Sequence, residues 1–311
     1  MSGEAAYRAG FACFVGRPNV GKSTLTNALV GQKIAITSTR PQTTRHTVRG
    51  IVHRPDAQLV LVDTPGVHRP RTLLGERLND VVLGTLAEVD LVGLCLPANE
   101  PIGPGDRYIV ERLAEAKVET VVAVVTKTDL VDHRRQLPEK LVEVDAFADF
   151  AAVVPVSATA MEQVDVLTDV LVGLLPEGRP MYPEGELTDE PEQVLVAELV
   201  REAVLEDVRD ELPHSIAVTV EEMSRRNEKD LVDGGGSGGG GVVVVYAVVY
   251  VERPSQKAIV IGRKGSRLRE VGSRARRQIE AMLGSPVYLD LHVKVLKDWQ
   301  RDPRQLHRLG F

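Results

Sequence analysis

Aromatic side chains are scarce, 4% of 311 residues, too few for a broad platform of stacked rings beneath a nucleic acid. Cysteine is scarcer still. Cys13 and Cys95 are the whole complement, and both sit in apolar runs (FACFVG and LVGLCLP), which reads as two small buried hydrophobes rather than a disulfide or a metal pair. The longest uninterrupted apolar stretch, Val242–Val251, falls far short of the roughly 20 residues a membrane-spanning helix needs. The N-terminus has no basic-then-apolar leader pattern. These shortages exclude a disulfide scaffold and an integral membrane protein, and they set the expectation of a cytoplasmic protein in a reducing compartment.

What is present is enough apolar material, 43% of residues, for the cores of two domains at this length. The net charge of −6 conceals an asymmetry. From Arg253 to the end there are 14 basic and 5 acidic residues, against 24 basic and 39 acidic in the rest. A basic terminal region on an acidic body points to a polyanionic partner.

Between Gly10 and Leu175, short β-branched runs (FACFVG, GIVH, AQLVLVDT, DLVGLCLP, TVVAVVTKTD, AAVVPVSA) alternate with helix-like stretches. Nearly continuous apolar runs suit strands covered on both faces, the sign of a mostly parallel sheet between helices. GIVH and AQLVLVDT flank a Pro55-Asp56 turn and read as an antiparallel hairpin. The expected organisation is an α/β domain over 1–177, a linker over the proline-dense 178–192, and a small α+β domain over 193–311. In the last, a helix from about Glu192 to Glu211 precedes two strands, a strand or helix leading through a turn into a basic helix, and a closing strand. Asp233–Gly241, with eight Gly and Ser residues in a row, reads as a flexible insert between strands rather than a phosphate cradle, because no helix start follows it.

Gly16-Arg17-Pro18-Asn19-Val20-Gly21-Lys22-Ser23 fits G-x-x-x-x-G-K-[ST] where a strand gives way to a helix. Glycines let backbone N–H groups converge on phosphate oxygens, and the helix N-terminus adds partial positive charge. In such a loop Lys22 reaches the β- and γ-phosphates and Ser23 ligates Mg²⁺. Asp63-Thr64-Pro65-Gly66 closes a later strand, placing Asp63 to hold Mg²⁺ and the Gly66 N–H to sense the γ-phosphate. Thr126-Lys127-Thr128-Asp129 ends another strand, and a carboxylate there accepts from the N1–H and 2-amino groups that guanine offers and adenine does not. Ser157-Ala158 ends the last strand, with the Ala158 N–H aimed at guanine O6. Each is weak alone. Four in series at strand C-termini, where open α/β sheets bind ligands, specify a nucleotide site.

The set GRPNVGKS, QTTR, DTPG, TKTD and SA resembles the signature boxes of the TrmE–Era–EngA group of translation GTPases. The resemblance implies a P-loop GTPase fold, GTP and GDP as ligands with Mg²⁺, and slow hydrolysis of GTP. It makes Thr44, with Thr43 the weaker candidate, the switch threonine that closes on Mg²⁺ and the γ-phosphate. Lys22, Thr44, Asp63 and Gly66 are then the catalytic set, and Ser23, Thr44 and Asp63 the metal ligands. Thr126 departs from the usual asparagine of the base box, losing the two-sided bonding of an amide. Val67 stands where Ras-like GTPases carry a water-orienting glutamine, and the resemblance implies a K⁺ ion at Asn19 as a substitute for an arginine finger, with simple loop hydrogen bonding as the alternative reading of Asn19. Arg45 and Arg49 read as a solvated switch face, with action on the phosphates in cis as the alternative.

The basic half carries Gly262-Arg263-Lys264-Gly265, a G-x-x-G turn opening a helix. From Gly262 to Glu280 there are seven basic and two acidic residues. The resemblance extends here to an RNA-binding KH domain of type II, with Gly262, Arg263, Lys264, Gly265 and Arg267 as the clamp on unpaired nucleotides. It implies a monomer that binds the 3′ end of 16S ribosomal RNA and assists assembly of the 30S subunit. The alternative partner for the basic tail is acidic lipid on the inner surface of the cell membrane. A phosphotransferase reading is disfavoured, because TKTD and SA serve to read a base.

Overall fold

In a computed structural model of the chain, residues 6–38, 43–66, 72–208, 215–226 and 241–311 are described. The apolar runs of the first half become β1 (Arg8–Val15), β2 (Val48–Arg54), β3 (Ala57–Asp63), β4 (Leu91–Pro97), β5 (Val121–Thr126) and β6 (Ala152–Pro155). They join in one sheet of order β2-β3-β1-β4-β5-β6, in which only β2 runs antiparallel to its neighbour. The expected hairpin across Pro55-Asp56 is therefore present.

Alternation along the strands divides the core between the two faces of the sheet. Ala12, Phe14, Leu59, Leu61 and Val124 pack with Leu25 and Leu29 of α1 (Lys22–Val30) and Leu167 and Leu171 of α5 (Val164–Leu174). Cys13, Val15, Val62, Leu94 and Val125 pack with Val82 and Leu86 of α2 (Leu73–Leu86), Ile109 and Leu113 of α3 (Pro104–Glu115) and Val144 of α4 (Gln136–Asp145). The two cysteines lie in opposite clusters, both fully buried and free. Burial pushes both thiols up to about 12, which keeps them protonated and inert.

The chain separates into two compact units, Met1–Arg71 with Gly75–Asp189, and Thr72–Leu74 with Glu190–Phe311. The segment expected to be a linker from 178 differs from a detached spacer. Its backbone is fastened to the edge strand β2 and to Gln58 of β3: Ile51 N donates to Leu187 O at 2.9 Å, Gln58 Nε2 donates to Tyr182 O at 2.9 Å, and Gln58 Oε1 accepts from Met181 N and Tyr182 N. Its prolines remove donors but leave enough N–H and C=O groups to pair with an exposed strand edge.

The second unit follows the order α6 (Glu192–Asp207), β7 (Ala217–Arg226), β8 (Val242–Val251), α7 (Pro254–Ile261), α8 (Ser266–Leu283) and β9 (Val287–Val295). β8 is central, antiparallel to β7 and parallel to β9. Val271, Ala275 and Ile279, spaced by four along α8, form its buried stripe and leave Arg269, Arg276 and Arg277 outward. The helix expected to reach Glu211 ends at Asp207. A short 3₁₀ turn (Trp299–Arg301) and α9 (Pro303–Arg308) follow β9, with Trp299 fully buried. Residues 233–240 of the glycine-rich insert lie outside the described residues.

Candidate functional site

The register of the parallel sheet sets Phe14 of β1 beside Asp63 of β3, so the phosphate loop and the DTPG turn leave the sheet side by side. Thr64 Oγ1 donates to Phe14 O at 3.1 Å and ties them together. A Cβ on Gly16 would lie 2.9 Å from the Cys95 carbonyl oxygen, which is why the loop opens with glycine. Gly21, at φ +104°, caps α1 without a side chain, leaving the first-turn N–H groups available to an anion. Gly66 packs on the loop, its missing Cβ 3.4 Å from both Lys22 Nζ and Pro18.

Lys22 is buried, and Nζ donates to the carbonyl oxygens of Gly16 and Arg17 at 3.1 Å each. Burial holds its pKa below the usual lysine value. Beside it, Ser23 Oγ, Thr44 Oγ1 and Asp63 Oδ2 form a triangle. Ser23 Oγ donates to Asp63 Oδ2 at 2.8 Å, Thr44 Oγ1 donates to the same oxygen at 3.2 Å, and the two hydroxyl oxygens are 2.8 Å apart. The other carboxylate oxygen, Asp63 Oδ1, is buried with no hydrogen-bond partner. Burial raises the Asp63 pKa to about 6, against the pull of Ser23, Lys22 and Thr44. Hard oxygens converging on a carboxylate with an orphaned atom suit Mg²⁺, which takes one or two carboxylates and completes its shell with water and phosphate.

Thr126 is buried, and its hydroxyl donates to the Val20 carbonyl oxygen at 2.7 Å. The residue that departs from the usual asparagine thus bonds the base box to the phosphate loop. Lys127 takes a left-handed conformation, φ +58°, and Thr128 beside it is buried. Asp129 is exposed, and its Oδ1 accepts from the buried Ser157 Oγ at 2.6 Å. Ser157 is therefore placed to orient Asp129, while Ala158 packs at the edge of the core.

One expectation changes. Arg45 is buried rather than part of a solvated face, whereas Arg49 is exposed as expected and pairs with Asp189 at 3.0 Å. Asn19 sits at φ +65° within the loop. Val67 lies outside the described residues. Among those described, no group of three or more His, Cys, Asp or Glu side chains gathers as a metal site, since the triangle here draws two of its oxygens from hydroxyls. Sequence reasoning missed Glu100 and Asp106, which flank Arg17 at 3.1 and 2.8 Å. The signal for Asp106 was present: it follows Gly103-Pro104-Gly105 as the third residue of a helix opened by proline.

In the second unit, Gly262 and Gly265 lie at φ +70° and +75° on either side of the exposed Arg263 and Lys264. Arg267 Nη1 donates to Ile259 O and Arg269 Nη2 to Lys264 O, both at 2.9 Å. Two arginines of α8 therefore hold the turn in place. Beside it runs a groove of about 480 Å³ between α8 and β9, lined by Arg269, Gly272, Ser273, Arg276 and the half-exposed Tyr288. Arg269 and Arg276 were counted in the basic helix, but neither their groove nor Tyr288 was legible in the sequence, because only the fold brings β9 against that face of α8.

Residues 11–127 match the family described as 50S ribosome-binding GTPase, and residues 211–300 match the KH domain. The chain is 66% identical to the GTPase Era of Streptomyces coelicolor over 317 residues, 99% of this chain and 96% of the relative. It is 61% identical to the GTPase Era of Mycolicibacterium smegmatis, covering 98% and 99%. Among solved structures, Era in complex with MgGDPNP and nucleotides 1506–1542 of 16S ribosomal RNA superposes with a TM-score of 0.90 at 35% identity, over 98% of this chain and 99% of that one. An Aquifex aeolicus Era variant bound to GDP and AlF₄⁻ gives a TM-score of 0.89 at 35% identity, over 97% and 99%.

Proposed function

Because the chain belongs to the family of the GTPase Era, we propose that it is a GTP-dependent switch that binds the 3′ end of 16S ribosomal RNA and assists assembly of the 30S subunit. It is a GTPase whose ligands are GTP, GDP and Mg²⁺. The solved relative with MgGDPNP and 16S ribosomal RNA nucleotides supports the same pair of ligands for this chain.

The geometry supports the following role for each residue. Lys22, already desolvated beside the loop carbonyls, offers an ammonium to the phosphates. Ser23, Thr44 and Asp63 supply the oxygens for Mg²⁺, and Gly66 presents backbone against the loop where a γ-phosphate lies. Held by these three residues, Mg²⁺ would supply charge neutralisation to the phosphoryl group in transfer. Thr44 and Gly66 belong to segments that would be ordered around the γ-phosphate and released after hydrolysis. Asp129 accepts from guanine, with Ser157 steadying its carboxylate. K⁺ at Asn19 completes the reading, and turnover in K⁺ buffer should exceed turnover in Na⁺ buffer.

The observation that carries RNA rather than lipid is the turn at 262–265. Two glycines in the left-handed region let phosphates approach backbone N–H groups between two exposed cations, whereas attraction to anionic lipid needs charge and no glycine. Gly262→Asp is expected to abolish binding of an oligonucleotide from the 16S 3′ end, read by fluorescence anisotropy, and to change cosedimentation with anionic liposomes little. Retained RNA affinity in that variant overturns the assignment. Loss of liposome binding with RNA affinity intact would favour the membrane partner.

A further inference from the structure

Arg17, at the second position of the phosphate loop, is gripped by two carboxylates from the segment after β4. Its Nε donates to Asp106 Oδ1 at 2.8 Å, and its Nη2 lies 3.1 Å from Glu100 Oε2. Asp106 has no exposed surface, and its second oxygen accepts from Gly103 N at 2.8 Å, at the start of α3. The Arg17 stem passes so close to Gly105 that a Cβ there would fall 2.8 Å from Arg17 Cδ.

Glu100 has a second reach, its Oε1 lying 4.0 Å from Lys127 Nζ in the base box. The segment carrying it is pinned from α4: Lys140 Nζ donates to Glu100 O at 2.8 Å, and Ile102 N donates to Glu143 Oε1 at 3.3 Å. The loop end of the chain of contacts closes on Lys22, whose ammonium is held by the Arg17 carbonyl oxygen at 3.1 Å.

We propose that Glu100 and Asp106 are positioning residues for GTP: they fix the phosphate loop through Arg17, and Glu100 ties that loop to the base box through Lys127. The two subsites for one nucleotide are then set at a fixed separation before it binds. A planar guanidinium held on two sides by carboxylates has one orientation, which a lysine at the same place would not have. Because Asp106 is buried, removing its charge leaves the guanidinium without its closest partner, while Glu100 is exposed enough to change without disturbing the core.

The proposal rests on the GTPase reading, and the test separates the two. Purified Glu100→Gln, Asp106→Asn and Arg17→Lys proteins are compared with wild type in stopped-flow release of a fluorescent GDP and in steady-state GTP hydrolysis. Thermal unfolding without nucleotide is measured in parallel. Glu100→Gln is expected to release GDP about five- to tenfold faster and to raise KM by a similar factor, with kcat and nucleotide-free Tm near wild type. Arg17→Lys should fall between wild type and Glu100→Gln. GDP release at the wild-type rate in Glu100→Gln overturns the proposal, as does a fall in nucleotide-free Tm that accounts for the whole effect. Asp106→Asn carries weight only beside Glu100→Gln, since its buried site can alter folding. Wild-type protein without affinity for GTP would remove the GTPase reading and this proposal with it.

Discussion

The hydroxyl of Thr126 donates to the Val20 carbonyl oxygen at 2.7 Å, across 106 residues of sequence. One short side chain at the end of β5 thereby joins the segment that reads the base to the loop that cradles phosphate. The threonine hydroxyl makes that bond and lacks the second bonding group an amide would have.

Thr126→Val preserves shape and removes the donor. The Val20 carbonyl then loses this partner in a buried place, at a cost of about 1 kcal/mol. GDP affinity measured by fluorescence titration should weaken by roughly fivefold, and an unchanged affinity would show that the bond does not govern the site.

Asp63 should make the metal-free first unit lose stability as pH rises. Its folded pKa of about 6 lies above the ordinary 3.8 because burial opposes the charged form. Below pH 4 the group is protonated in both states and costs nothing. Between pH 4 and 6 the folded state holds the proton more tightly, so folding loses ground as the proton leaves, by on the order of 3 kcal/mol in total. Denaturant unfolding without Mg²⁺ should find Asp63→Asn more stable than wild type at pH 7, with the gap closing near pH 4. A gap that stays constant with pH contradicts the assignment. Mg²⁺ and GDP should narrow the gap at pH 7 by restoring the wild type alone.

The two glycines of the RNA turn are not equivalent. A Cβ on Gly262 would stand 2.7 Å from Arg267 Cβ and 3.0 Å from its backbone nitrogen, whereas one on Gly265 would meet nothing within 4 Å. Gly265→Ala should therefore cost about 1 kcal/mol of left-handed strain and leave RNA affinity within a few-fold. Gly262→Ala must displace the turn, and RNA affinity should fall by more than about tenfold. Equal losses in the two variants would mean that φ alone, and not the packing against α8, shapes the clamp.

Trp299 is the single tryptophan. It is fully buried, with Nε1 donating to Ser215 O at 3.1 Å and its ring stacked on Phe311 at 5.8 Å. Trp299→Ala should destabilise the second unit by about 3–5 kcal/mol. In the wild type, the red shift of tryptophan emission in denaturant should follow the unfolding of that unit. Emission that is already solvent-like in native buffer would contradict the buried placement.

The motifs were legible because each is local: Gly16 to Ser23, Asp63 to Gly66, Thr126 to Asp129 and Gly262 to Gly265 are short runs whose glycines, prolines and charges announce a turn at a strand or helix end. The inner strands of the first sheet were legible because covered strands are nearly continuous apolar runs, and the edge strands β2 and β6 because short β-branched runs end at turn residues. The C-terminal turn and α9 were not, since a lone buried tryptophan leaves no periodicity behind it. The fastening of residues 178–189 to β2 also escaped notice, because a proline-dense, acidic stretch looks alike whether it is docked or free.

By itself, then, the order of amino acids determined which chemistries the chain can perform and at which strand ends they stand. Tertiary structure alone decided which of those ends touch: Thr126 with Val20, Ser157 with Asp129, and Arg17 with Asp106 across 89 residues. Such pairings depend on strand order and register, and these are set by how whole faces bury together rather than by any window of neighbouring residues.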